Sequence, residues 1–130
     1  MTVTRIETPW TGGTYSDSVT VPVAGGRFIF VSGQIGATLD GKLVENNPQA
    51  EADQMFERVR ISLEKAGAGL QHVVKITGWV VDFDHNFRYY NEARGKAFSG
   101  HLPASAAVET TRLSFGALFE VETVAFVPGE

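Results

Sequence analysis

HVVKITGWVV, residues 72–81, decides the architecture, because apolar side chains stand at both its odd and its even positions. A strand that is hydrophobic on both faces belongs in the interior of a sheet. Its flanks supply the cover. Upstream, NNPQAEADQMFERVRISLEKAGAGL (46–70) reads as a helix: Asn47 can cap it, Pro48 suits the first helical position, and Ala52, Met55, Phe56, Val59, Leu63 and Ala66 form one apolar stripe. Gly67 and Gly69 end it after about five turns. Downstream, DFDHNFRYYNEARGKAF (82–98) sets Phe87, Tyr90, Ala93 and Ala97 at helical spacing, with Asp84 as the expected cap. Gly95 weakens this second helix by roughly 1 kcal/mol relative to Ala.

Further out, DSVTVPV (17–23) alternates Val with other residues, AGG (24–26) turns the chain, and RFIFVSGQIG (27–36) returns it as the second strand of a hairpin. LDGK (39–42) is a turn, after which LVE (43–45) is expected to add a short strand. At the other end a strand over about 104–110 is followed by a turn at LSFG and by the alternating run ALFEVETVAFV (117–127). The order is β, β, α, β, α, β, β. That is an α+β fold of two layers, with two helices on one face of a mixed sheet of four to six strands. The other sheet face needs a cover, and further subunits are the expected source.

The totals fit one domain over residues 1–130, a length that buries roughly two-thirds of the surface its unfolded chain would expose. With 43% hydrophobic and 20% charged residues the composition is that of a globular protein, and no run approaches the ~18 apolar residues of a membrane helix. The opening MTVTRIETPW has neither a basic start with a long apolar block nor an Arg-rich leader, so a cytoplasmic protein is expected, with no membrane partner. Cysteine is absent, which excludes thiolate catalysis and cysteine-ligated metal. His72, His85 and His101 lack metal-ligand spacing, so no metal is expected. A net charge of −4 without a basic cluster argues against nucleic acid as a partner.

Three features bear on chemistry. Alternation in the last strand puts Glu120 and Glu122 on one face beside Val124 and Phe126; this is either a solvated sheet face or a pocket wall in which one carboxylate serves as acid, base or water-orienting group. SGQIG (32–36) ends a strand with a hydroxyl, a glycine and an amide, either as a plain turn or as a place where a ligand approaches the backbone at Gly33. In GHLPASAAVETTR (100–112) more than half of the residues are Gly, Ala, Ser or Thr, smaller than a core strand requires. No phosphate-binding glycine motif opens either helix, and no GxSxG nucleophile motif occurs.

YSDSV (15–19), FVSGQIG (30–36), LEKAGAGL, VVKITGWVVDFDHNFRYYNEA, HLPASAAVETTRL and GALFEVETVAF together resemble, in order and spacing from about residue 13 to 127, the reactive intermediate deaminase A family, also called RidA/YjgF. The resemblance implies a chorismate-mutase-like α+β fold, assembled as a homotrimer with a central barrel and clefts between subunits. It also implies hydrolysis of enamines and imines, such as 2-aminoacrylate, to keto acids and ammonia, with no metal or cofactor. On this sequence it would make Glu120 the water-orienting catalytic group. Tyr15, Ser32, Gly33, Asn91, Ser105 and Ala107 would contact the small-molecule substrate, the small residues at 104–107 forming a cleft wall.

One departure stands out. Deaminating members read Arg-Pro-Ala-Arg, the second Arg holding a substrate carboxylate, where this chain reads Leu102-Pro103-Ala104-Ser105. Losing a charged, bidentate contact costs about 1.5 to 3 kcal/mol, or about ten- to over a hundredfold in binding an anion. No lysine or arginine lies nearby in sequence to replace it, although Arg27, Arg94 or a neighbouring subunit could do so in space; Arg112 is shared with the family. The sequence therefore leaves two readings: a deaminase-like hydrolase of altered specificity, or a non-catalytic trimeric small-molecule-binding protein. An old ribonuclease label on relatives finds no basic groove to support it.

Overall fold

The computed structural model describes residues 2–8 and 13–129. Six strands, β1 (Thr4–Ile6), β2 (Ser18–Val23), β3 (Gly26–Ile35), β4 (Val73–Val81), β5 (Ala104–Thr110) and β6 (Phe119–Pro128), form one sheet in the order β1-β2-β3-β6-β4-β5. Only β4 and β5 are parallel, as their crossover through a helix requires; the other pairs are antiparallel. The final strand thus inserts between the N-terminal hairpin and the β4–β5 unit. The strand at 72–81 is interior, as its two apolar faces predict.

Helix α1 (Pro48–Lys65) is built as the sequence reads: the Asn47 side chain accepts from the Ala50 N–H at 3.1 Å, and Pro48 opens the first turn. At its end Gly67, with φ +80°, allows Gly67 N–H to reach Glu64 O and Ala68 N–H to reach Leu63 O, satisfying carbonyls that the helix leaves open. Ala52, Met55, Phe56, Val59 and Leu63 are buried, with Ala66 packed at their margin. Against them lie Ile29, Val31, Ile76, Val80, Phe119, Val121 and Ala125 from the sheet, and Tyr90 and Ala93 from the second helix, α2 (Phe83–Ala97). Phe56 meets the Phe98 ring edge-on at 5.5 Å and the Tyr90 ring at 5.7 Å.

Three local expectations are corrected. Asp84 does not cap α2; Asp82 occupies that position in a left-handed conformation (φ 51°) without a side-chain bond, and the first-turn Phe83 N–H donates instead to the Glu109 carboxylate of β5 at 3.0 Å. A distant strand therefore does the work assigned to a local residue. LVE forms no strand, only a single bridge from Leu43 to Ala37. And β1, a three-residue strand paired with β2, has no counterpart in the sequence reading.

The helices cover one sheet face. On the other, Phe28 sits across from Phe126, Phe30 across from Val124, and Trp79 across from Val108 on one side and Glu120 on the other. Phe30 and Val108 are each 45% exposed, so an apolar surface stands open on this side.

Gly78 is a close approach between sheet and α2, since a Cβ there would fall on the Tyr90 ring and hydroxyl. Gly78→Ala should lower unfolding free energy by about 1–3 kcal/mol in a denaturant titration, because Tyr90 is fully buried and has nowhere to move.

Candidate functional site

At the far end of β3 the register against β6 shifts between Val31 and Gln34, so Ser32 and Gly33 form a bulge. Side-chain bonds hold it in place. Ser32 Oγ donates to Ser16 O at 2.6 Å, and Gln34 Nε2 donates to Asp17 Oδ1 at 3.1 Å and to Ser32 O at 3.2 Å. The Ser32 hydroxyl proton is thus committed to the backbone of the chain.

Glu120, opposite Ile35 and Trp79, turns its carboxylate onto this bulge. A Cβ on Gly33 would collide with Glu120 Oε2 and stand 3.0 Å from its carboxyl carbon, so the missing side chain is what makes room for the acid. Among the described residues no protein donor hydrogen-bonds to this carboxylate. Burial, with the Glu122 charge second, raises its pKa above the ordinary glutamate value. Glu122, on the same face, is exposed. Alternation puts both acids on this face, and Glu120 is the one whose carboxylate lies against the bulge.

Tyr15 is half-exposed and shares with Gly33 a cavity of about 120 Å³, floored by Asp17, Gln34 and Arg58. Asp17 and Arg58 are 2% and 4% exposed, and burial lowers the Arg58 pKa while Asp17 opposes the shift. The sequence reading passed over this buried pair. Its one signal was a charged residue at position 58, against the apolar stripe of α1.

The remaining candidates gather elsewhere. Ser105 lies beside Ile76 and Ala107 beside Gly78, which puts both on the helix-covered face of β5, whereas Glu120 lies beside Trp79 on the open face. Asn91 projects from α2 towards them, and between Asn91 and Ser105 stands Arg94. Its Nη1 donates to Ser105 Oγ at 2.9 Å and its Nη2 to Asn91 Oδ1 at 2.6 Å. Arg27 is engaged on another part of the molecule, donating to Gly67 O. One chain therefore carries two polar patches on opposite sheet faces, Ser32–Gly33–Glu120 and Asn91–Arg94–Ser105–Ala107, while Tyr15 lies in the cavity beside Gly33 with Asp17, Gln34 and Arg58. Among the described residues no group of His, Asp and Glu is arranged to hold a metal ion. Among the described residues no helix is long and apolar enough to cross a membrane.

A six-stranded mixed sheet with two helices on one face and one carboxylate tucked against a strand bulge defines a small α+β protein with two separate polar patches. The chain belongs to the RidA/YjgF family, whose sequence model, described as Endoribonuclease L-PSP, matches residues 6–127. It is 36% identical over 115 residues to a RutC family protein of Pyrococcus abyssi, covering 88% of this chain and 87% of that one. It is 37% identical over 114 residues to the 2-iminobutanoate/2-iminopropanoate deaminase of Rattus norvegicus, covering 87% of this chain and 80% of the relative. The crystal structure of RidA from the Antarctic bacterium Psychrobacter sp. PAMC 21119 superposes with a TM-score of 0.82 at 32% identity, over 95% of this chain and 99% of that one. The family thus includes imine deaminases alongside members with other names.

The Glu120 carboxyl should titrate above the ordinary glutamate range when followed by carbon NMR. Its folded-state proton affinity exceeds the unfolded one, so the stability it contributes is present at low pH and lost as pH rises through the raised pKa. In Gly33→Ala the displaced carboxylate should return towards the ordinary value, with a stability change under about 1 kcal/mol because only the end of a flexible side chain moves.

Proposed function

We propose that this chain, acting as one cytoplasmic domain over residues 1–130, hydrolyses reactive enamines and imines to carbonyl compounds and ammonia without metal or cofactor. The working unit is a homotrimer whose clefts join the Glu120 patch of one copy to the Ser105 patch of the next. The half-buried Glu120 carboxylate, set against Gly33 with no protein donor, carries the reading: it is free to bind a water and disposed by burial to hold a proton. The exposed apolar sheet face and the outer edge of β5, which no strand among the described residues pairs, support the assembly.

The chemistry asks little of the protein. An enamine tautomerises to its imine, and the protonated C=N carbon is already electrophilic. Water held by Glu120 attacks that carbon and gives Glu120 a proton as the carbinolamine forms. The nitrogen then takes that proton back from Glu120 and leaves as ammonia while the hydroxyl releases its proton to solvent and the C=O bond closes, the released proton replacing the one that activated the imine, so that one imine and one water yield one carbonyl compound and one ammonia. A carboxyl whose pKa is raised towards neutrality passes protons in both directions more readily than an ordinary glutamate. Tyr15 stands at the rim, Gly33 and Ala107 offer backbone groups, and Ser32 offers a hydroxyl oxygen whose lone pairs accept. Asn91 and Ser105 complete the opposite wall.

Serine at 105, where the family resemblance implies arginine in deaminating members, favours a second reading, a trimeric binding protein without turnover. An acidic chain of net charge −4 gives no support to RNA as substrate, despite the description attached to the family's model.

Ammonia release from enzymatically generated imines separates these readings. Glu120→Gln should lower kcat by about a hundredfold or more, and the wild-type rate should fall as pH drops through the raised Glu120 pKa. Equal rates for the two proteins would remove Glu120 from the mechanism, and ligand-induced stabilisation without conversion would identify a binding module.

A further inference from the structure

We infer that Arg94 is the anion-holding, specificity-determining residue of this site, selecting imines that carry a carboxylate; the inference rests on the hydrolase reading above. Arg94 is presented by α2 and fixed from three sides. Ser105 Oγ and Asn91 Oδ1 accept from its two terminal nitrogens at 2.9 and 2.6 Å. Its guanidinium carbon lies 5.4 Å from the Tyr90 ring centre and 5.6 Å from that of Phe87, so its plane rests on aromatic faces.

None of these partners carries a negative charge. Arg60 pairs with Glu57 and Glu64, and Lys96 with Asp53, but among the described residues no carboxylate lies within salt-bridge reach of Arg94. The two hydrogen bonds use two of its five N–H donors, leaving three in the fixed fork that suits a carboxylate. An arginine held by neutral groups keeps its full charge for a ligand.

The space for that ligand is present. A cavity of about 370 Å³ opens between α2 and β5, lined by Asn91, Arg94, Phe98, Leu102, Pro103 and Ser105. Leu102, 82% exposed, gives its mouth an apolar lip suited to a short aliphatic chain. Ser105 does not itself take the anion; it accepts from Arg94 and positions the fork. The charge that the Leu102–Ser105 segment lacks is thus delivered from the neighbouring helix. The expectation that loss of arginine from this segment costs the site its grip on anions is met by a different residue.

The test is calorimetric titration of the full protein with 2-oxobutanoate, the carbonyl product of a 2-imino acid, and with neutral 2-oxobutanamide. Arg94→Gln should weaken 2-oxobutanoate binding about ten- to a hundredfold and leave 2-oxobutanamide unchanged, while Arg94→Gln combined with Ser105→Arg should recover the anion. Unaltered 2-oxobutanoate affinity in Arg94→Gln, equal loss of both ligands, or no 2-oxobutanoate binding by the wild type would each overturn the inference. Ammonia assays keep the two claims apart. Arg94-dependent binding without ammonia release retains this inference and sinks the hydrolase; turnover of 2-imino acids unaffected by Arg94→Gln does the reverse.

Discussion

The insertion of β6 between β3 and β4 is the constraint on which everything else rests. Without it the N-terminal hairpin and the β4–α2–β5 unit share no strand pairing, since β3 and β4 are joined only through β6. The same strand fixes the division of faces. Phe119, Val121, Thr123 and Ala125 enter the core under the helices, which commits Glu120 and Glu122 to the opposite side by alternation alone. A register slip of one residue would send the carboxylates into the core, and the cost of burying them unpaired holds the register in place.

From this follows the split character of the site. Glu120 rides on the central strand and looks out of the open face, while Ser105 and Arg94 belong to the helix-covered side at the sheet's edge. A rigid sheet cannot fold one patch onto the other. A shared cleft therefore requires a second copy, and the apolar open face, with Phe30 and Val108 half-exposed, gives that copy something to bury. Assembly and chemistry are in this account one requirement.

Much of the fold could be read from local pattern. Asn47, Pro48 and the stripe from Ala52 to Leu63 specify α1 because cap, first turn and apolar face agree. The alternation of β6 likewise put Glu120 and Glu122 on one face, where the strand pairing has them. What escaped the reading was set by partners distant in sequence. Strand β1 exists through its pairing with β2, Asp84 lost its capping role to Glu109 across 26 residues of chain, and Leu43 found only one bridging neighbour. Within the site, Gly33 was legible as a close-approach glycine, but its occupant, the Glu120 carboxylate, was not. Arg94 looked like any helical arginine until the fold set it between Asn91 and Ser105.

The composite site can be tested by mixing two defective chains. Glu120→Gln spoils one half of every cleft and Arg94→Gln the other, so trimers reassembled from equal amounts of both should contain intact clefts at about one site in four, each built from the sound halves of two copies. The account predicts imine hydrolysis in the mixture at roughly a quarter of the wild-type rate, well above either variant alone. A mixture no more active than its separate components would contradict a site shared between subunits.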